Sequence, residues 1–230
     1  MNTSITSVQT TIVSSDDNTY TYEVKKVLLD ESGAPARGSD AILIGLYPTT
    51  TAQEPYKTDL STNHLICKMQ ELELRSVRIL NLFSQVCASE KLSARGLEVD
   101  EENLAYIESV LKETDFQKTF LILAWGNSMA TCKAANLTKA RISNLFATYH
   151  PQGKLYQLSA PSLTLDSEEC VHVLYLGIRH KREVWGLREY QFPKKELPSE
   201  KPAKRGRKKK VLKEIQAPAE GSEADIPMKA

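Results

Sequence analysis

Thr119 to Trp125 reads TFLILAW, an uncharged run followed at once by Gly126-Asn127-Ser128. Ala41 to Leu46 (AILIGL) is a second such run and stops at Tyr47-Pro48, where the proline cannot continue a ladder. Val77 to Phe83 (VRILNLF) is a third. Continuous apolar runs without alternation belong to strands buried on both faces, as in a parallel sheet. Helical spacing fills the intervals: Leu65, Met69 and Leu72 within Asn63–Leu74, then Leu104, Ile107 and Leu111 within Glu101–Thr114. A third helix is expected to run to about Tyr149, with Asn127 or Ser128 as its N-cap. Tyr20–Leu29 reads as an edge strand, and Lys154–Leu158 and Cys170–Leu176 read as two more strands. Strands alternating with helices predict a three-layer α/β/α domain with a mostly parallel central sheet.

The whole chain of 230 residues is large enough to bury its own core, with 41% hydrophobic and 26% charged residues. No apolar run reaches the 18 or so residues of a membrane span. The N-terminus lacks the basic start and apolar core of a secretory signal, so a cytoplasmic chain without a membrane partner is expected. Residues 1–18 are Thr- and Ser-rich and predict a disordered start, 19–193 the α/β domain, and 194–230 a disordered tail. Cys67, Cys87, Cys132 and Cys170 stand far apart and the four histidines do not cluster, so neither a metal nor a cofactor is expected.

In open α/β sheets the ligand crevice lies beyond the carboxyl ends of the strands. That rule selects Tyr47, Pro48 and Thr49 after the first run, Asn81 in the second, and Trp125, Gly126 and Asn127 after the third. It also selects His172 in the last. Three of them have a structural alternative. Asn81 either reads a ligand or ties neighbouring loops together, Trp125 either stacks on a base or packs in the core, and His172 is either a ligand contact or a satisfied interior imidazole.

The segment ILIGLYPTTTAQEPYKTDLST (residues 42–62), with Asn81-Leu82-Phe83, Ala124-Trp125-Gly126 and His172-Val173-Leu174-Tyr175 in order, resembles an uncharacterised bacterial and phage family, DUF1643. The resemblance extends from about Ala41 to Phe192. The layout is also similar to the uracil-DNA glycosylase fold. That likeness implies a water-positioning place at Tyr47 and a base-facing histidine at His172. The DUF1643 resemblance implies that Asp59, matching the aspartate of that family's second element, orients a substrate or acts as a base, unless it only caps the helix that follows. A glycosylase has Asp or Asn at the first place. A phenol, with a pKa of about 10, does not orient water for attack near neutrality. Val173 stands where the resemblance has a proline after the histidine, and Leu60 where it has one after the aspartate. A competent glycosylase is therefore not expected.

Charge is unevenly spread. Residues 1–193 hold 19 Lys and Arg against 23 Asp and Glu, while 194–213 hold 10 against 2. Within the basic tract, Lys204-Arg205-Gly206-Arg207-Lys208-Lys209-Lys210 resembles an AT-hook, although Lys208 stands where the usual hook has proline. The glycine lets the backbone lie on the floor of a narrow minor groove and the arginines run along it. The expectation is a nucleic-acid-associated protein with a glycosylase-like body, tethered through this tail to DNA, where the tail either prefers A·T-rich duplex or is a solvated charge run that binds any polyanion. The alternatives are a hydrolase of a nucleobase or nucleotide using Asp59 and His172, and a protein-interaction module on the same fold.

Overall fold

The computed structural model describes residues 5–87, 92–164 and 170–192. The chain runs β1 (Ser7–Ser14), β2 (Thr21–Leu29), β3 (Ser39–Gly45), α1 (Leu60–Lys68), β4 (Leu74–Asn81), α2 (Glu101–Glu113), β5 (Thr119–Leu123), α3 (Lys133–Tyr149), β6 (Leu155–Ser159), α4 (Val173–Arg179) and β7 (Gly186–Tyr190). The seven strands form one sheet in the order β1-β2-β4-β3-β5-β6-β7. The central four, β4-β3-β5-β6, are mutually parallel. β1, β2 and β7 join antiparallel at the two sides, so the sheet is mixed.

Period-two alternation distributes each central strand between two helical layers. Ile42, Ile44, Leu80, Leu121 and Leu123 pack with α2 and α3 through Leu104, Ile107, Leu111, Ile142 and Phe146. Ala41, Leu43, Val77 and Ile122 point to the other side, against Leu65 of α1, its C-cap Met69, and Val173 and Leu176 of α4. Both faces are apolar, which explains why these strands carry no alternation in sequence.

Four expectations are corrected. The loose start expected over residues 1–18 holds β1, whose Ser7–Ser14 pair with Leu29–Thr21 of β2. An outermost strand buries little surface and needs few apolar side chains, so its composition resembled a loop. β2 consequently lies inside the sheet and is not an edge. Cys170–Leu176 is not a strand: His172 caps α4, and Val173, Leu176 and Gly177 form its buried face. Finally, α3 starts at Lys133 with Cys132 as N-cap and no side-chain capping bond, later than Asn127 or Ser128 would place it. The stretch from residue 193 onward lies outside the described residues, as do the expected disorder of the tail and its DNA-binding residues.

Gly177 brings α4 against α1. A Cβ there would overlap the His64 ring and lie 2.8 Å from His64 Cβ. Gly177→Ala is expected to lower stability by about 1–3 kcal/mol despite its better helix propensity. Adding His64→Ala should recover most of the loss. Urea midpoints of the two single variants and the double variant test the contact, and additive losses would disprove it.

Candidate functional site

The site forms where β3, β4 and β5 end beneath the N-termini of α1 and α4. Backbone pairing continues one or two residues past the strands, with Leu82 N–H donating to Gly45, Phe83 to Leu46 and Ala124 to Ile44. The chain after β3 then turns away as Tyr47-Pro48-Thr49-Thr50. It is held by the Thr21 hydroxyl donating to the Thr50 carbonyl (2.9 Å) and by Cys87 N–H donating to the Pro48 carbonyl (2.9 Å). A cavity of about 350 Å³ remains between these segments. Its wall includes Tyr47, Pro48, Thr49, Asp59, Asn81 and His172, so six of the nine candidates in the body converge.

Asn81 is 6% exposed. Its backbone carbonyl accepts from the Asn103 amide at 2.8 Å, while its own carboxamide makes no hydrogen bond among the described residues. A Cβ on residue 45 would come within 2.6 Å of Asn81 Oδ1, so Gly45 is the seat on which this carboxamide lies. The loops are therefore not tied by the Asn81 side chain. A nearly buried amide facing a cavity retains both donor and acceptor capacity.

His172 is the N-cap of α4, and its Nδ1 accepts from Leu174 N–H at 3.1 Å. An accepting Nδ1 carries no proton, so the ring proton lies on Nε2. Burial pushes the imidazole pKa below 6.5, and the Asp59 charge only partly opposes it. The ring is thus a neutral Nε2–H donor. Because the folded pKa is lowered, the unfolded chain takes up the proton first. The associated stability is complete above about pH 6.5 and is lost as pH falls from there through the folded value. Thermal midpoints from pH 8 to 5 should fall more steeply for the wild type than for His172→Asn, which keeps a capping oxygen. Parallel curves would contradict this assignment.

Asp59 caps α1, its Oδ1 accepting from Thr62 N–H (3.0 Å) and its Oδ2 from the Thr62 hydroxyl (2.5 Å). Capping and cavity lining are thus combined in one side chain. Its charge also reaches Lys26, a 3% exposed lysine of β2 whose ammonium donates to the Thr10 hydroxyl at 2.9 Å. Burial lowers the Lys26 pKa, against the pull of Asp59. Tyr47 is half-buried and its phenol is pushed upward by that burial, so it stays protonated.

Trp125, Gly126 and Asn127 do not line the cavity. Trp125 is 1% exposed in the core beneath α2 and α3, with the Lys139 ammonium 5.6 Å from its ring centre. Asn127 is exposed, and its neighbour Ser128 reaches the wall instead. Gly126 acts one step removed: its φ is +69° and a Cβ would lie 2.8 Å from His172 Cβ, so it admits the histidine. Thr50, Ser61, Ser128 and Leu174 are wall residues that sequence reading missed. The caps at Asp59 and His172 were the available signal, since each marks a helix start facing the strand ends.

Residues 28–162 match the family described as "Protein of unknown function (DUF1643)". The chain belongs to this family. The DUF1643 match takes in β3 through β6 and the cavity residues Tyr47, Asp59 and Asn81, while His172 and α4 lie beyond it. No curated protein and no solved structure matches the chain. No helix among the described residues is long and apolar enough to cross a membrane.

Proposed function

We propose that the strand-end cavity of this DUF1643 protein binds a nucleobase, and that the chain is a nucleic-acid-associated binder without glycosylase activity. The Asn81 carboxamide carries the reading. It offers a donor and an acceptor side by side, the pattern that pairs with the amide or amidine edge of a base. The neutral His172 Nε2–H supplies a second donor suited to a ring carbonyl oxygen. The apolar wall around them, including Leu43, Leu65 and Ile79, suits a flat heterocycle. The resemblance to the uracil-DNA glycosylase layout points the same way.

Two features argue against hydrolysis. Tyr47 occupies the place where a water-orienting carboxylate or amide would be needed, and both Asp59 oxygens are engaged by Thr62. The tail from Lys204 to Lys210 is the proposed DNA tether, with A·T-rich duplex as its preferred target. A hydrolase using Asp59 and His172 remains the second reading, because both line the same cavity and the Asp59 charge acts on His172.

Titration of the full chain with uracil, cytosine, adenine and guanine nucleosides tests the proposal. Asn81→Ala is expected to weaken the best ligand by roughly 5- to 150-fold, the 1–3 kcal/mol of a bidentate base contact. Base release from oligonucleotides should stay at background. No saturable binding by the wild type would end the base-binding proposal. Release abolished by Asp59→Asn would establish the hydrolase instead.

A further inference from the structure

We propose that the outer face of α4 carries a single-stranded nucleic acid whose base enters the cavity. The inference deepens the base-binding reading and rests on it. It adds that the natural ligand is a base within a strand, not a free base.

The first observation is where α4 begins and what it leaves uncovered. His172, Val173 and Leu174 line the cavity, and Val173, Leu176 and Gly177 are the buried side of the helix. Its other side presents Tyr175 at 52% and Ile178 at 59% exposure, one turn apart. The Tyr175 ring is tilted against the His180 imidazole at a centroid distance of 5.9 Å, which gives it a supported orientation. Stacking platforms for bases are aromatic rings of this kind on a water-exposed face.

The second observation is charge. Arg179 ends α4, Lys181 and Arg182 follow in the next turn, and all three are exposed. None of the three forms an ion pair among the described residues. Glu183, the neighbouring acid, is engaged by the Ser162 backbone N–H and hydroxyl and by His180. This is a local concentration of positive charge on a body whose acids outnumber its bases, 23 to 19. An aromatic ring and unpaired cations in succession complement alternating bases and phosphates, whereas an apolar protein partner would leave the three charges without partners.

The third observation is scale. A seven-residue helix is about 10 Å long. A stacked strand advances about 3.4 Å per nucleotide. A strand with one base in the cavity therefore has its neighbouring base within reach of Tyr175 and its next phosphates within reach of Arg179 to Arg182.

The experiment is photo-cross-linking of the full chain to a single-stranded oligonucleotide containing 5-iodouridine, with the modified residues mapped by mass spectrometry. A cross-link on Tyr175 is expected. Its yield should fall roughly fivefold or more in Arg179→Glu/Arg182→Glu, because two phosphate contacts become two repulsions. Both positions are exposed, so the thermal midpoint should be unchanged. Cross-links confined to residues 194–213, with nucleoside binding still dependent on Asn81, would overturn the α4 surface and leave the base-binding cavity standing. A Tyr175 cross-link in a protein that binds no nucleoside would do the reverse, keeping the strand surface and removing the base pocket. Capture of an acidic peptide in place of the oligonucleotide would also overturn the proposal.

Discussion

Glu23→Ala is expected to lower stability by about 3 kcal/mol, the low end of the cost of breaking a buried ion pair. Glu23 is 5% exposed in β2 and faces the α2 layer. Its two oxygens accept from Arg78 Nε (2.8 Å) and Nη2 (2.6 Å), a bidentate pair joining β2 to β4, and Oε2 also accepts from the Tyr106 hydroxyl (2.9 Å) of α2. Lys25 stands opposite Arg78 in the ladder, so removal of the carboxylate leaves two like charges adjacent on one face. The loss therefore comes from the uncompensated Arg78 more than from the missing contact. Glu23→Ala combined with Arg78→Met should lose less than Glu23→Ala alone. Equal losses in denaturant midpoints would show that Arg78 is not the source.

Gly126→Ala is expected to cost about 2–5 kcal/mol and to weaken nucleoside binding beyond what stability explains. Two penalties add. A non-glycine residue in the left-handed region costs roughly 1–2 kcal/mol. A Cβ at 2.8 Å from His172 Cβ cannot be relieved by rotating a flexible end, because the crowded atom is next to the backbone, and overpacking of this kind costs about 1–3 kcal/mol. Gly126→Asn separates the two, since asparagine tolerates a positive φ but carries the same Cβ. Its stability should be better than that of Gly126→Ala while its nucleoside binding is equally poor. Both variants within about 0.5 kcal/mol of wild type, the range of neutral surface changes, would refute the close approach.

Much of this protein is legible without coordinates. Ala41–Gly45, Val77–Asn81 and Thr119–Leu123 are strands both by sequence and in the fold, because residues buried on two faces must be apolar whatever surrounds them. Glu101–Glu113 is legible for a related reason: its amphipathic spacing is matched by Asp100 at the N-cap and by acids in the first turn. α4 and β1 were not legible. A short stretch such as Val173-Leu-Tyr-Leu fits a strand or a helix equally well, and only its seat against His64 and α1 selects the helix. β1 gains its structure from the open edge of β2, a partner that exists only once the sheet is built.

The candidate site divides in the same way. Sequence alone determined that polar residues gather at the ends of apolar strands, and that fact pointed to Asn81, whereas His172 was selected on an expected strand and is instead the cap of α4. It could not decide toward which helical layer each strand-end side chain points. That depends on where the chain leaves the ladder, and a shift of one residue exchanges the two faces. Tertiary packing decided it. α1 and α4 stop short over the ends of β3, β4 and β5 and leave a cavity, while α2 and α3 close over Trp125. Asn81 and His172 consequently meet in open space, and Trp125, as prominent in the sequence as either, is core.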